Sequence, residues 1–322
     1  MKIAITGAAG FIGYHLAKHF AAQGNDVLAI DNCEFQMEDS IAIFNRRMRD
    51  LGLPDYPEYE SLHTSTKFPT LYFMRSDVVS FHFTKLAFGL FKPDIIIHLT
   101  GTVGIQDSFN HTNFYVQNNV CGFIQVLEYC KQNPHVRLFY ASSSSVHGDC
   151  GVPISPYGVT KRTMEDLAHV YSNSFDLSIT GLRFFTVYGP YGRSDMMAFK
   201  FIKSIYEEYP FQVFNDGKNK RSFTYIDDVV KSVSLLLEKD KLLPIYEIGN
   251  VEQNSVSEFL TEILNTIDKE PNVEVVGIQP GDVFETLADT SDLFNDIGYR
   301  PDTPIEYGIE ETVKWYKEAF AQ

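Results

Sequence analysis

Cysteine is scarce in this chain: four occur in 322 residues, Cys33, Cys121, Cys130 and Cys150, far apart and with no C-x-x-C pair. That spacing argues against a disulfide framework and a thiolate zinc site, and it leaves free thiols, no metal and a reducing compartment. Positive charge is also short, with 27 Lys and Arg against 42 Asp and Glu and a formal net charge of −15. An acidic surface repels nucleic acid and anionic lipid, so neither is expected as a partner, and an anionic ligand has to be held by local positive groups. Long apolar runs are missing too: nothing approaches the roughly 20 residues of a membrane span. Gly7, Gly10 and Gly13 interrupt the apolar N-terminus and no cleavage site follows, so no signal peptide is read and a cytoplasmic location is expected.

What is present is enough apolar residue, 44% of the chain, for a sizeable core in one large or two modest domains. Residues 2–6 (KIAIT) read as a strand, Gly7-Ala-Ala-Gly10-Phe11-Ile12-Gly13 as a turn opening a helix that runs to about Gln23, and 26–30 as a second strand ending at Asp31. Strand, glycine turn, helix, strand and acid make a dinucleotide-binding unit, in which the helix N-terminus faces the pyrophosphate. A carboxylate at Asp31 accepts from ribose hydroxyls and repels an added phosphate, which favours NAD over NADP. Asn32 follows it. Leu71–Arg75 reads as a strand leading to Asp77 and Val78, with Asp77 placed to meet the adenine amino group. Residues 94–99 (DIIIHL) form a buried strand that ends at Leu99, followed by a small-residue loop at Gly101 where a cofactor passes. His98 inside that strand reads as a satisfied core histidine rather than a ligand. A long helix is expected over 113–133, with Asn118 and Asn119 on its early turns.

The stretch from Val136 to Glu165 carries the chemistry. A mostly buried strand ends in four serines, Ser142 to Ser145; a Gly/Pro-rich turn follows, then Tyr157 and, four residues on, Lys161. Positions four apart share a helix face, and a lysine beside a tyrosine favours the phenolate, which makes a usable base near neutral pH. The same spacing occurs at Tyr14 and Lys18, where the tyrosine is expected on the surface. Strands alternating with helices indicate a doubly wound parallel α/β sheet, Rossmann-like, whose ligands gather at the carboxyl ends of the strands. Residues 1–186 are expected to form the NAD-binding domain, with about 227–250 returning to its sheet, and 187–322 mainly a smaller mixed α/β substrate-binding domain. Lys218, Lys220 and Arg221 form a rare basic cluster, either a solvated turn or a clamp for a diphosphate. Residues 33–70 are too long for an ordinary loop and are expected over the cofactor or the substrate mouth.

The motifs TGAAGFIG, ASSSSV-x-G, SPYGVTK, GLRFFTVYGPYGR, KRSFTYIDD and QPGDV together resemble the extended short-chain dehydrogenase/reductase family. Within it they resemble the nucleotide-sugar epimerases, closest to UDP-glucuronate 4-epimerases. The resemblance implies Tyr157 as base, Lys161 as its partner and Ser143 as the hydroxyl-binding serine. It places NAD against Gly7, Gly10, Gly13, Asp31, Asp77 and Asn118, with Phe11, Ile12, Asn32, Val78, Leu99 and Gly101 alongside. Arg221 and Asp282 match positions that hold UDP, and Thr186, Arg193 and Ser144 match positions that meet a uronate carboxylate. A homodimer is expected on the same ground.

The implied reaction is C4 epimerisation of a UDP-sugar, UDP-glucuronate to UDP-galacturonate, through a transient 4-keto sugar. Ser144 and Ser145 stand where related dehydratases carry an Asp-Glu pair, and decarboxylases usually have an acid at the Ser145 position. His147 replaces a common tyrosine, and the link from Gly148 to Tyr157 is short, so the alternatives are UDP-glucose or UDP-N-acetylglucosamine as substrate. A UDP-uronate decarboxylase or oxidoreductase, and a non-catalytic NAD sensor, are the competing classes.

Overall fold

Runs such as IAI at 3–5 and III at 95–97 cannot turn either face to water, and in the computed structural model they lie at the centre of a sheet. The structure describes residues 1–34, 38–80, 82–267 and 269–321. These fall into two units, Met1–Arg183 with Leu242–Tyr246, and Phe184–Lys241 with Glu247–Gln322.

The sheet is built from β1 (Lys2–Thr6), β2 (Asp26–Asp31), β3 (Leu62–Thr64), β4 (Leu71–Arg75), β5 (Ile95–His98), β6 (Arg137–Ser143), β7 (Ile179–Phe184) and β8 (Ile245–Ile248), in the order β8-β7-β6-β5-β1-β2-β4-β3. The pairs β1/β2, β1/β5, β2/β4 and β5/β6 are parallel, while β3 runs antiparallel on the edge. The chain works outward from β1 through β2 to β4, then restarts at β5 on the other side. The order therefore reverses between β1 and β5, and the crevice at their carboxyl ends is where such sheets take ligands. The segment that rejoins the sheet is β8, whereas the helix Ile226–Leu237 stays with the second unit.

One helix, one side chain and one long stretch differ from what the sequence suggests. The expected helix over 113–133 is a helical run in three parts: Thr112–Tyr115, a π-helical turn Val116–Cys121, and Gly122–Gln132. Tyr14 on the helix α1 (Phe11–Ala22) is not at the surface; it is 1% exposed, and its hydroxyl donates to Asp50 at 2.5 Å, beside the Lys18–Asp50 ion pair. The burial comes from the stretch 33–70, of which 35–37 lie outside the described residues. Its helix α2 (Glu38–Asp50) delivers Asp50 to α1 and sends the buried Arg47 to the carbonyl of Ala9, 2.6 Å away, on the glycine turn. The same stretch then contributes β3.

The second unit contains small sheets and helices with an aromatic core. Thr186–Tyr188 pairs in parallel with Phe223–Tyr225, and Lys220–Arg221 lies between Asn254–Ser255 and Glu285–Thr286. Phe199 packs edge to face on both Tyr316 and Phe320, and Phe320 meets Trp315 in the same way. No helix among the described residues is long and apolar enough to cross a membrane.

Candidate active site

The glycine turn is shaped by contacts that leave no room for a side chain. Gly7 sits at φ +71°, and a Cβ on Gly13 would lie 2.2 Å from the carbonyl oxygen of Gly7. The Gly10 amide bonds that same oxygen at 3.0 Å. The helix α1 then starts at Phe11 without a side-chain cap, as helix N-termini that take anions do. Gly13→Ala is expected to destabilise the fold by about 1–3 kcal/mol, as overpacking does, and to weaken NAD binding; denaturant titration and NAD titration check the two effects.

Asp31 ends β2 with one carboxylate oxygen accepting from Ala9 N (3.0 Å) and the other from Cys33 N (2.9 Å). Burial pushes its carboxyl above the usual range, opposed by those amides and by the Arg47 charge. An acid held in this way at the end of β2, above a turn that a single Cβ would block, fits a dinucleotide. The other expected cofactor residues line the same edge. Asn32 caps Glu34 N, Asp77 caps Val79 N at 3.0 Å, Val78 is buried, and Leu99 N bonds Thr6 O on β1. At Gly101 a Cβ would stand 2.9 Å from Asn119 Oδ1 and 3.3 Å from Lys161 Nζ, so only glycine brings this loop onto both.

Ser142 and Ser143 close β6, and Ser144–Val146 forms a short helical turn after it. The Ser143 hydroxyl accepts from Ser145 N and donates to Ser145 Oγ, both at 3.2 Å. Helix α4 (Pro156–Phe175) opens with Ser155 as its N-cap, accepting from Gly158 N at 3.1 Å, and with proline at its first position. (The helix over 112–132 counts as α3.) This start places Tyr157 in the first turn and Lys161 on the next, with Lys161 Nζ 6.0 Å from the Tyr157 ring centroid. Lys161 is 2% exposed and donates to the carbonyl of Ala141 on β6 at 2.9 Å; burial pulls its ammonium down to about 8. Strand and helix are thus joined at the trio.

Residues assigned no role from the sequence hold this arrangement. Asn119 is fully buried, accepts from Thr102 N (2.7 Å), and donates to Thr102 O and to Thr160 Oγ1 on α4 (both 3.0 Å). Asn118, the residue expected on the cofactor, is half-buried and donates to Thr102 Oγ1 at 2.9 Å. Tyr115, one helical turn before Asn119, is buried and meets Tyr157 edge to face at 6.2 Å. Their signal was a four-residue spacing in YVQNN, hidden because a π turn shifts which asparagine faces inward. Below the trio, Ser142 donates to Glu165 (2.6 Å), which Arg183 holds with two 2.8 Å bonds. His98 is only half satisfied: Nδ1 bonds Thr6 Oγ1 at 2.8 Å, while the buried Nε2 has no hydrogen-bond partner among the described residues. Burial and the nearby Lys161 charge lower it to about 3, so it stays neutral. His147 is exposed, and the short link folds as a tight turn in which Asp149 and Val152 exchange both backbone bonds at 2.9 Å.

In the second unit Thr186 begins a strand. Arg193 is ion-paired with Asp195; burial would raise that carboxyl, but the Arg193 charge overrides it and holds it below its usual range. Arg221 and Asp282 form an ion pair at 2.5 Å, and Asn219 donates to the second Asp282 oxygen at 2.7 Å. The basic cluster is not one patch: Lys218 pairs with Asp216 and Lys220 is exposed, so only Arg221 joins the half-buried pair.

A parallel sheet whose strand order reverses, a glycine turn with no room for a side chain, and a tyrosine–lysine pair over a serine-ended strand define a dinucleotide-dependent enzyme of short-chain dehydrogenase type. The NAD dependent epimerase/dehydratase family profile matches residues 3–251, and the chain belongs to that family. It is similar to Protein CapI of Staphylococcus aureus, with 34% identity over 99% of both chains. It is also similar to a UDP-glucuronate 4-epimerase of Thermodesulfobacterium geofontis, with 33% identity over 98% of this chain and 95% of that one. Among solved structures, the UDP-glucuronic acid 4-epimerase of Bacillus cereus in complex with UDP-glucuronic acid and NAD superimposes with a TM-score of 0.87 at 31% identity, covering 99% of this chain and all (100%) of that one.

Proposed function

We propose that the protein is an NAD-dependent UDP-glucuronate 4-epimerase, interconverting UDP-glucuronate and UDP-galacturonate. One observation carries the reading: Lys161 is buried with its ammonium fixed to the serine-bearing strand, one turn from Tyr157, in a chain similar end to end to enzymes of that name. The dinucleotide is assigned to Gly7, Gly10, Phe11, Ile12, Gly13, Asp31, Asn32, Asp77, Val78, Leu99, Gly101 and Asn118, together with Tyr157 and Lys161. NAD, when bound, supplies reversible hydride acceptance. Tyr157 takes the proton of the C4 hydroxyl, Lys161 stabilises the phenolate, and Ser143 orients the hydroxyl. Tyr157 returns the proton after the 4-keto sugar has turned over.

A 4-keto uronate is a β-keto acid and loses carbon dioxide readily, so its carboxylate must be restrained. The sequence motifs assign that task to Ser144, Thr186 and Arg193, and the UDP moiety to Arg221 and Asp282. Arg193→Ala is expected to lower kcat/KM about tenfold, as loss of a charge-assisted hydrogen bond does, and to increase leakage to a UDP-pentose. An unchanged product ratio on anion-exchange chromatography would remove Arg193 from that role.

The deciding experiment incubates the purified protein, without added NAD, with UDP-glucuronate, UDP-glucose and UDP-N-acetylglucosamine. UDP-galacturonate from the first alone is expected. Product from a neutral sugar would shift the substrate, and accumulating carbon dioxide or NADH would shift the class to a decarboxylase or an oxidoreductase. We further place the enzyme in the cytoplasm as a homodimer: Phe109, Phe114, Val159 and Val170 are apolar and exposed on the helical elements of the first unit. Sedimentation showing a monomer would reject the dimer.

A further inference from the structure

We propose that Tyr56, Tyr59 and Arg75 form a wall at the adenine end of the NAD site and slow release of the dinucleotide between turnovers. The inference rests on the NAD reading above and concerns residues that no motif includes. Arg75 is the last residue of β4 and stands in register with Asp31, the acid at the end of β2. Its Nε donates to the carbonyl of Asn32 at 3.0 Å, which turns the guanidinium along the edge where the adenosine half belongs. The guanidinium carbon lies 4.1 Å from the ring centroid of Tyr56 and 5.8 Å from that of Tyr59. Backbone contacts fix the second ring: Tyr59 bridges to Arg75, and Glu60 N bonds Arg75 O at 2.8 Å.

Two features of this stack suggest a ligand rather than a loop anchor. Tyr56 is 65% exposed and Tyr59 46%, so flat aromatic surface is left to water beside Asn32. Arg75 also makes no ion pair among the described residues, although acids outnumber bases 42 to 27 in the chain. A planar cation stacked on a phenol offers a face to a purine and spare N–H donors at its rim. Adenine is the flat, acceptor-bearing group that an occupied dinucleotide site would bring to this edge.

The test compares the wild-type protein with Tyr56→Ala, Tyr56→Phe, Arg75→Ala and Arg75→Lys. Leu90→Ala, at a residue 72% exposed elsewhere in the first unit, is the control. NAD released on heat denaturation is measured per chain, with the rate at which bound NAD exchanges for labelled NAD. Base stacking on an aromatic side chain is strong enough that its removal should speed exchange about tenfold or more. That is expected for both alanine variants and for Arg75→Lys, which loses the planar group, while Tyr56→Phe and Leu90→Ala should match wild type. Equal exchange in wild type and folded Tyr56→Ala overturns the inference and leaves the NAD reading intact. A wild-type chain that binds no NAD overturns both. Tyr56 is exposed, so its variants decide the matter even if Arg75→Ala does not fold.

Discussion

Tyr157→Phe should fold, keep its NAD and lose turnover by about 10²- to 10⁴-fold, the range for removing a positioned acid or base. The substitution deletes one oxygen and keeps the ring. That ring is buried against Tyr115, and the helix start that places it depends on Ser155 and Pro156, none of which needs the hydroxyl. The proposed phosphate and ribose contacts lie on the glycine turn and β2, so dinucleotide content should match wild type. Full activity in this variant would remove Tyr157 from the chemistry. Loss of NAD together with activity would show instead that the hydroxyl supports the cofactor.

Lys161→Met should have the opposite effects on stability and turnover. The ammonium is buried, it donates to Ala141 O, and burial pulls it down to about 8 against 10.5 for the free group. A depression of that size corresponds to a penalty on the order of 3 kcal/mol for keeping the charged form folded at neutral pH. An apolar side chain of similar length removes the penalty but leaves the Ala141 carbonyl without that donor. The NAD-free variant is therefore expected to gain about 2 kcal/mol in denaturant unfolding while turnover is lost.

The pH dependence follows from the direction of the shift. Between about 8 and 10.5 the unfolded chain holds more protons at this site than the folded one, so the wild-type protein should gain stability as pH rises through that window. The penalty is fully present below it, and the variant should lack this slope. Activity should fall over the same rise, because a neutral amine no longer stabilises a phenolate. A variant no more stable than wild type would show that the buried ammonium is not strained.

The glycine turn, Asp31 and the Ser143, Tyr157 and Lys161 trio were legible because their signals are local. A turn of fixed glycine spacing, an acid at a strand end and two side chains four residues apart are set by backbone geometry alone. Asn119 was placed on its helix but given no role, because an inserted π turn changes the facing of every residue after it, and α-helical periodicity carries no sign of that turn. Tyr14 was misread because its burial is decided by Asp50, 36 residues on, and Glu165 escaped notice because its partners, Ser142 and Arg183, sit 23 and 18 residues away.

By itself, then, the order of residues determined the sheet class and the cofactor type and pointed to the tyrosine and lysine proposed to react, since each follows from short-range spacing and the periodicity of apolar residues. Only the folded chain decided which asparagine is buried against Thr160, that stretch 33–70 buttresses the glycine turn through Arg47, and that burial pulls the Lys161 ammonium down. Those outcomes depend on burial and on pairings between distant segments, and both are properties of packing in three dimensions rather than of any window along the chain.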